Sequence, residues 1–229
     1  MLVLYVGFVV QSIDDSKENK STKNREMSNV FENYLSSTGK LSAEEIKFSA
    51  SFFKPIDLKK NDFFIREDDS SRYIGFIASG AVKAYALDKE GKENITCFKF
   101  ENEFVASFQE FVTQEKSIRS IRAIEDSVIY RINFPDYHHL LGQIAAWNEL
   151  IKSLMEKEYS QKERYLLNYN NRSAVDKYLH VLSNEPILVR RVATQDLASY
   201  LGITQRSLTR AKDKYIGQVN YRTNVLMLP

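Results

Sequence analysis

Residues 192–214, VATQDLASYLGITQRSLTRAKDK, constrain the fold more than any other stretch. Their apolar positions and turn residues suit two short helices set at an angle. Leu197, Ala198 and Leu201 recur at helical spacing and give the first helix a buried face. Thr194 is placed to cap that helix, with Asp196 in its first turn, where the dipole favours an acid. Gly202 permits the left-handed backbone that ends a helix and turns the chain. Thr204 is placed to cap a second helix, and Ile203 before it to staple onto Leu208. Leu208 and Ala211 continue the buried face. The expected unit is a helix-turn-helix whose second helix shows Gln205, Arg206, Thr209 and Arg210 outward.

Arg206 and Arg210 are four apart and so lie on one side of that helix. Like charges at this spacing repel by a few tenths of a kcal/mol, about 0.3, which an anionic partner would relieve. Arg can bind guanine O6 and N7 with two hydrogen bonds, and Gln can do the same for adenine N6 and N7. Base contacts in this motif come mainly from the start of the second helix, where Gln205 and Arg206 sit. A helical hairpin with a solvated basic face fits the same residues, so the charge distribution matters. The whole chain has a net charge of +2. From Pro186 to the end it holds seven basic and two acidic residues, so that stretch carries +5 and the preceding residues −3. A basic end on an acidic body suits a phosphate-binding module attached to something else. Arg190 and Arg191 are candidate phosphate contacts that add affinity without sequence information, or else an ordinary solvated pair.

At 229 residues the chain can hold one large or two modest cores. Its 43% hydrophobic and 27% charged residues are typical of soluble globular proteins, and 13 Tyr with 14 Phe suit a β-rich portion. The one cysteine, Cys97, excludes an intramolecular disulfide and a cysteine-ligated cluster within one chain, and a cytoplasmic setting is expected. No Gly-rich phosphate loop, nucleophile elbow or metal-spaced His pair is found. His138, His139 and His180 sit in no ligand-like pattern. The expectation is a non-enzyme without metal or cofactor.

Residues 1–26 differ from the rest. LVLYVGFVV is too short to span a bilayer, which needs about 20 apolar residues, and no signal-peptide pattern surrounds it. The polar run after it has a linker's composition. Met27 is expected to be the natural start, with a peripheral membrane anchor as the alternative and no membrane partner expected. A helical pattern runs from Phe31 to about Ser51, with Ser42 and Glu45 forming a capping box. After Pro55 come short apolar runs divided by turn signals, which predict strands at Phe63–Ile65, Tyr73–Ile77, Ala81–Leu87, Asn94–Phe100, Ile118–Ile124 and Val128–Ile132. A sandwich or jelly roll closes such a set. Ile144, Trp147, Ile151, Leu154 and Met155 then make an apolar helical stripe that continues weakly through Tyr159, Tyr165 and Leu166, in a stretch free of Pro and Gly from Gln143 to Glu185. That helix is read as a dimer seam, because helix-turn-helix proteins commonly read two half-sites through a two-fold; packing on its own β domain is the alternative.

This order resembles the Crp–Fnr family of bacterial transcription regulators. Tyr73–Tyr85 is similar to its Gly-turned β-hairpin, Val192–Lys214 to its helix-turn-helix, and Lys99–Ile132 to the strand–short helix–strand cassette that holds phosphate in cyclic-nucleotide binders. The resemblance implies an α+β fold: an antiparallel β-roll of jelly-roll, cyclic-nucleotide-binding type at 27–142, a dimerisation helix at 143–170 and a winged helix-turn-helix at 171–229. It puts base reading on Gln205, Arg206 and Arg210. Phosphate contacts are expected at Arg190, Arg191, Thr194, Thr204, Ser207, Thr209 and Arg222, the last in a wing hairpin at Tyr221–Pro229. The expected partners are double-stranded DNA, a second copy of the chain and, from the resemblance, RNA polymerase. In the cassette the family's nucleotide binders carry Gly-Glu before the short helix and Arg-Ser or Arg-Thr after it. The matching positions here read Ala106-Ser107 and Ser117-Ile118. An anionic phosphate needs a cation or several N–H donors, so cAMP or cGMP is not expected to bind in the usual way. Arg119 shares the strand parity of Ser117 and could face the same pocket. The effector, if any, is unassigned. The competing reading is a ligand-binding β-roll whose C-terminal helices bind protein and not DNA.

Overall fold

Short strands with one small apolar face need a second sheet to cover that face, and the chain supplies one. The computed structural model describes residues 30–170 and 172–226, with side chains through Tyr215. Strands β1 (Lys54–Leu58), β3 (Tyr73–Ser79), β6 (Phe104–Val105) and β8 (Ser127–Asn133) form one sheet in the order β1-β8-β3-β6. Strands β2 (Phe63–Ile65), β4 (Val82–Leu87), β5 (Glu93–Lys99) and β7 (Ser120–Ala123) form the other, in the order β2-β7-β4-β5. All pairings are antiparallel. Ile77, Val82, Ala84, Val105, Ile121, Ala123 and Ile129 fill the space between the sheets. The six strands expected from the apolar runs are present within two residues at each end. β1 and β6 carry too little alternation to be read: β1 is mostly exposed and β6 has two residues. At the β3–β4 turn Gly80 has φ +89, and a Cβ there would lie 2.2 Å from Ser127 Oγ, so only glycine fits.

The period-2 pattern leaves each sheet with an outer face. Ile74, Phe76, Val128, Tyr130 and Ile132 turn outward from the first sheet. They are covered by α1 (30–37), α2 (Ala43–Phe52), α4 (Phe134–Gln143) and the start of α5 (Ala145–Tyr169). The expected helix at 31–51 is thus two helices, broken at 38–42. The Ser42 capping box forms: Glu45 N donates to Ser42 Oγ at 3.3 Å, and Ser42 N donates to Glu45 Oε2 at 2.8 Å.

The long helix corrects one expectation. Trp147 is 2% exposed, packs among Phe53 and its neighbours, and donates its indole N–H to Ser49 Oγ at 2.8 Å. Ile144 is buried in the same core, while Ile151 and Leu154 pack against it half-buried. The stripe read as a dimer seam is therefore the helix's seat on its own β-roll; of the five residues only Met155 is exposed. Periodicity reports that a face is buried, not by what.

Four helices follow: α6 (Ala174–Asn184), α7 (Pro186–Arg191), α8 (Thr194–Tyr200) and α9 (Gln205–Leu226). The wing expected at Tyr221–Pro229 is not a hairpin over its described part, because α9 stays helical to Leu226. Residues 227–229 and the Arg222 side chain lie outside the described residues.

Candidate nucleic-acid interface

The turn between α8 and α9 forms for local reasons. Gly202 has φ +62, and the chain closes a Schellman motif in which Ile203 N donates to Ala198 O and Gly202 N to Ser199 O, both at 3.0 Å. Lys177 Nζ from α6 donates to the Leu201 carbonyl at 2.8 Å, so the orphan end of α8 is satisfied from outside as well. Thr204 then caps α9, accepting from Ser207 N at 3.1 Å. Ile203 and Leu208 share one apolar cluster with Leu197, Ala198, Leu201 and Ala211.

Thr194 does not cap α8. Ala193 holds the cap position without a side-chain bond, and Thr194 Oγ1 accepts from Lys212 Nζ of α9 at 3.2 Å. That bond links the two helices across the motif.

Gln205, Arg206 and Arg210 are exposed on one side of α9, and among the described residues none of their side chains has a hydrogen-bond or ion-pair partner. Thr209 Oγ1 donates to Gln205 O at 3.0 Å, and the Ser207 hydroxyl lies 2.9 Å from that of Thr204. Those hydroxyls are engaged along the helix end and offer lone pairs more readily than protons. Arg190 is exposed. Arg191 is not available as expected. Its guanidinium makes a two-pronged pair with Glu101, at 2.7 and 2.8 Å, and also pairs with Glu125. Donating to these carboxylates holds its pKa above the ordinary arginine value, and accepting from Arg191 holds the Glu101 carboxyl below its own. Two adjacent arginines at the end of α7 thus have different employments: one faces solvent, the other faces the β-roll.

The cassette lies far from this face in sequence. Ser107 and Ser117 are fully buried, Ala106 and Arg119 half-buried, and Ile118 exposed. Ser117 Oγ donates to Ser107 Oγ at 2.9 Å, which donates to Glu110 Oε2 at 2.6 Å. Ser71 Oγ donates to the Ser107 carbonyl at 3.2 Å. Glu110, on α3 (Phe108–Thr113), is 2% exposed. The positions that match the nucleotide-holding pairs are therefore bonded to each other and to a buried acid. Arg119 belongs instead to the charged surroundings of Cys97, with Lys99, Glu103 and Glu158; burial pushes the Cys97 thiol up. Sequence reasoning missed Glu110 and Lys99, which has a buried ammonium paired with Glu158 of α5. Both lie on elements whose spacing gives no cue to a partner.

Among the described residues no group of three or more His, Cys, Asp or Glu is placed to hold a metal ion, and no helix is long and apolar enough to cross a membrane.

A β-roll joined by a long helix to a helix-turn-helix defines a class: transcription regulators with a sensor-type module on a DNA-binding head. Comparison with known proteins agrees. Residues 55–143 match the cyclic nucleotide-binding domain family. Over 173 residues the chain is 27% identical to the regulatory protein HlyX of Actinobacillus pleuropneumoniae, covering 71% of this chain and 70% of that one. It is 24% identical to the fumarate and nitrate reduction regulatory protein of Vibrio cholerae, over 71% of this chain and 68% of the relative. The fold is shared with FixK2 from Bradyrhizobium japonicum, with a TM-score of 0.63 at 17% identity over 72% of this chain and 85% of that one. The chain thus carries a cyclic nucleotide-binding-type domain and is similar to transcription regulators of the Crp–Fnr type.

Proposed function

We propose that the protein reads a specific duplex DNA sequence as a homodimer in the cytoplasm, and that its β-roll does not take cAMP or cGMP by the usual contacts. The observation that carries this is the unpartnered Gln205–Arg206–Arg210 face of α9, held by a closed Schellman turn and a threonine cap. A bare cationic face with a bidentate-capable Gln beside two Arg suits base edges in a major groove. Arg190 is the phosphate contact this arrangement leaves free.

The dimer seam begins where the stripe leaves the β-roll, at Met155, and runs on along α5. Met155, Tyr159 and Leu166 are exposed, spaced four and seven apart, as a coiled-coil seam requires. In the cassette, a hydroxyl chain ending on buried Glu110 presents an acid where a phosphate needs a cation.

The test is duplex binding by the full chain, first to sites selected from random DNA. Arg206→Ala and Arg210→Ala should each weaken the selected site by about 1–3 kcal/mol and relax base preference at one position. Unchanged affinity and preference in both variants would mean α9 does not read bases.

A further inference from the structure

The outer face of the second sheet carries charges that the DNA-reading face does not use. Lys83 on β4 has a side chain only 5% exposed. Its ammonium lies 2.7 Å from Glu93 Oε2 on β5 and 2.8 and 2.9 Å from the two oxygens of Asp196 on α8. A lysine this buried is tolerated only when its charge is paired. Here one partner belongs to the β-roll and the other to the first helix of the helix-turn-helix. Beside it, Ser199 of α8 donates to the Glu93 carbonyl at 2.7 Å and accepts from Ile95 N at 3.2 Å, closing onto the β5 backbone. At the other end of the seam Glu101 accepts both the Arg191 guanidinium and the Gly80 N–H, the latter at 2.9 Å. Between them Tyr85, Ile95 and Phe98 of the sheet share a core with Leu197, Ala198 and Leu201, and the Phe98 and Tyr200 rings meet edge-on at 5.4 Å.

These bonds are directional and come from both ends of α8. If the head rotated on the roll, Lys83 would lose Asp196, Arg191 would lose both carboxylates, and the apolar seam would open. Meanwhile Gln205, Arg206 and Arg210 stay exposed. The docking is thus compatible with an open reading face and fixes where that face points.

Resting on the dimeric DNA reader proposed above, we infer that Lys83, through Asp196, is a positioning residue for DNA recognition: it orients the head on the β-roll and so sets the half-site spacing that a dimer accepts. A dimer joined along α5 has its two heads at a separation decided by how each sits on its own roll. Half-sites shifted by one base pair are rotated as well as displaced, so a rigid seat rejects them.

The experiment measures full-chain binding to the selected two-half-site duplex, to duplexes with one or two base pairs inserted or removed between half-sites, and to a single half-site. The wild type should lose about tenfold or more per base-pair change of spacing. Asp196→Asn should cut that discrimination to about threefold or less while single-half-site affinity holds within about twofold, which also reports a folded head. Asp196→Glu, which keeps a carboxylate for Lys83, should retain discrimination, whereas a merely structural role would not separate it from Asp196→Asn. Ser199→Ala, which leaves no buried charge behind, should widen spacing tolerance to a smaller degree and keeps the test available if Asp196→Asn misfolds. Wild-type discrimination retained in both Asp196→Asn and Ser199→Ala overturns the positioning role. A wild type that binds no duplex at all overturns the DNA reading itself, and this inference with it.

Discussion

The two outer faces of the β-roll are covered by different chemistry. On the first sheet the cover is aromatic: Phe31 lies against Phe53, Phe76 and Tyr130, and Phe53 stacks on Trp147. On the second sheet an apolar patch is ringed by ion pairs, Lys83 with Asp196 and Arg191 with Glu101 and Glu125. Apolar contact is large in magnitude but poor in direction, so the first face provides stability. Charged hydrogen bonds add little net stability yet tolerate few geometries, so the second face fixes an orientation. The same roll thus uses one face to stay folded and, on the inference above, the other to aim a reading head.

The largest expected effect is on the first face. Trp147→Ala or Phe76→Ala should cost about 3–5 kcal/mol in urea unfolding, since both side chains are fully buried. A loss under about 1 kcal/mol would mean the aromatic cover is not a core. On the second face Lys83→Ala should cost about 2 kcal/mol, below the value for a fully buried pair because Asp196 and Glu93 keep some solvent. Gly202→Ala should cost about 1–2 kcal/mol through its left-handed backbone alone, because nothing but the tip of the Lys177 side chain approaches the added Cβ. Arg206→Ala and Arg210→Ala should move stability by less than about 0.5 kcal/mol, the signature of residues kept for a partner.

Acid offers a finer cut between the faces. The Glu101 carboxyl is held below its ordinary value of 4.5, chiefly by hydrogen bonds from Arg191. A depressed folded-state pKa contributes stability that is present above the unfolded value and lost as pH falls through the folded one. Urea midpoints should therefore fall between about pH 4.5 and more acidic solution, and Arg191→Gln should flatten that part of the profile. Trp147→Ala should leave its shape unchanged. An Arg191→Gln profile that superimposes on wild type would remove the ion pair from the account.

What could be read from the sequence divides along the same line. The Gly202 turn, the Thr204 cap and the Ser42 capping box were legible because each is settled within a few residues. The strand at Ala81–Leu87 was legible for the same reason, as a short apolar run between turn signals. Lys83 gave no sign, because its partner Asp196 is 113 positions away and a charge on a strand's outer face reads as solvated. Arg190 and Arg191 look alike in sequence, yet only Arg191 meets Glu101. Thr194 is a good capping residue, but the helix begins one residue earlier than such a cap implies, and Lys212 uses its hydroxyl. Ile144, Trp147, Ile151 and Leu154 have the period of a buried face, but the face they meet is that of their own β-roll. The cassette serines were legible as a departure from a nucleotide site, whereas their relay to Glu110 needed the fold to bring residues 107, 110 and 117 together.

The central claim is a dimer whose two α9 faces read DNA from a fixed seat. Hydroxyl-radical footprinting of the full chain on a selected duplex tests it most directly. The account predicts two protected segments whose centres lie about one helical turn, 10–10.5 base pairs, or a whole multiple of it apart, and both should fade with added salt. A single protected segment, or none, would contradict it.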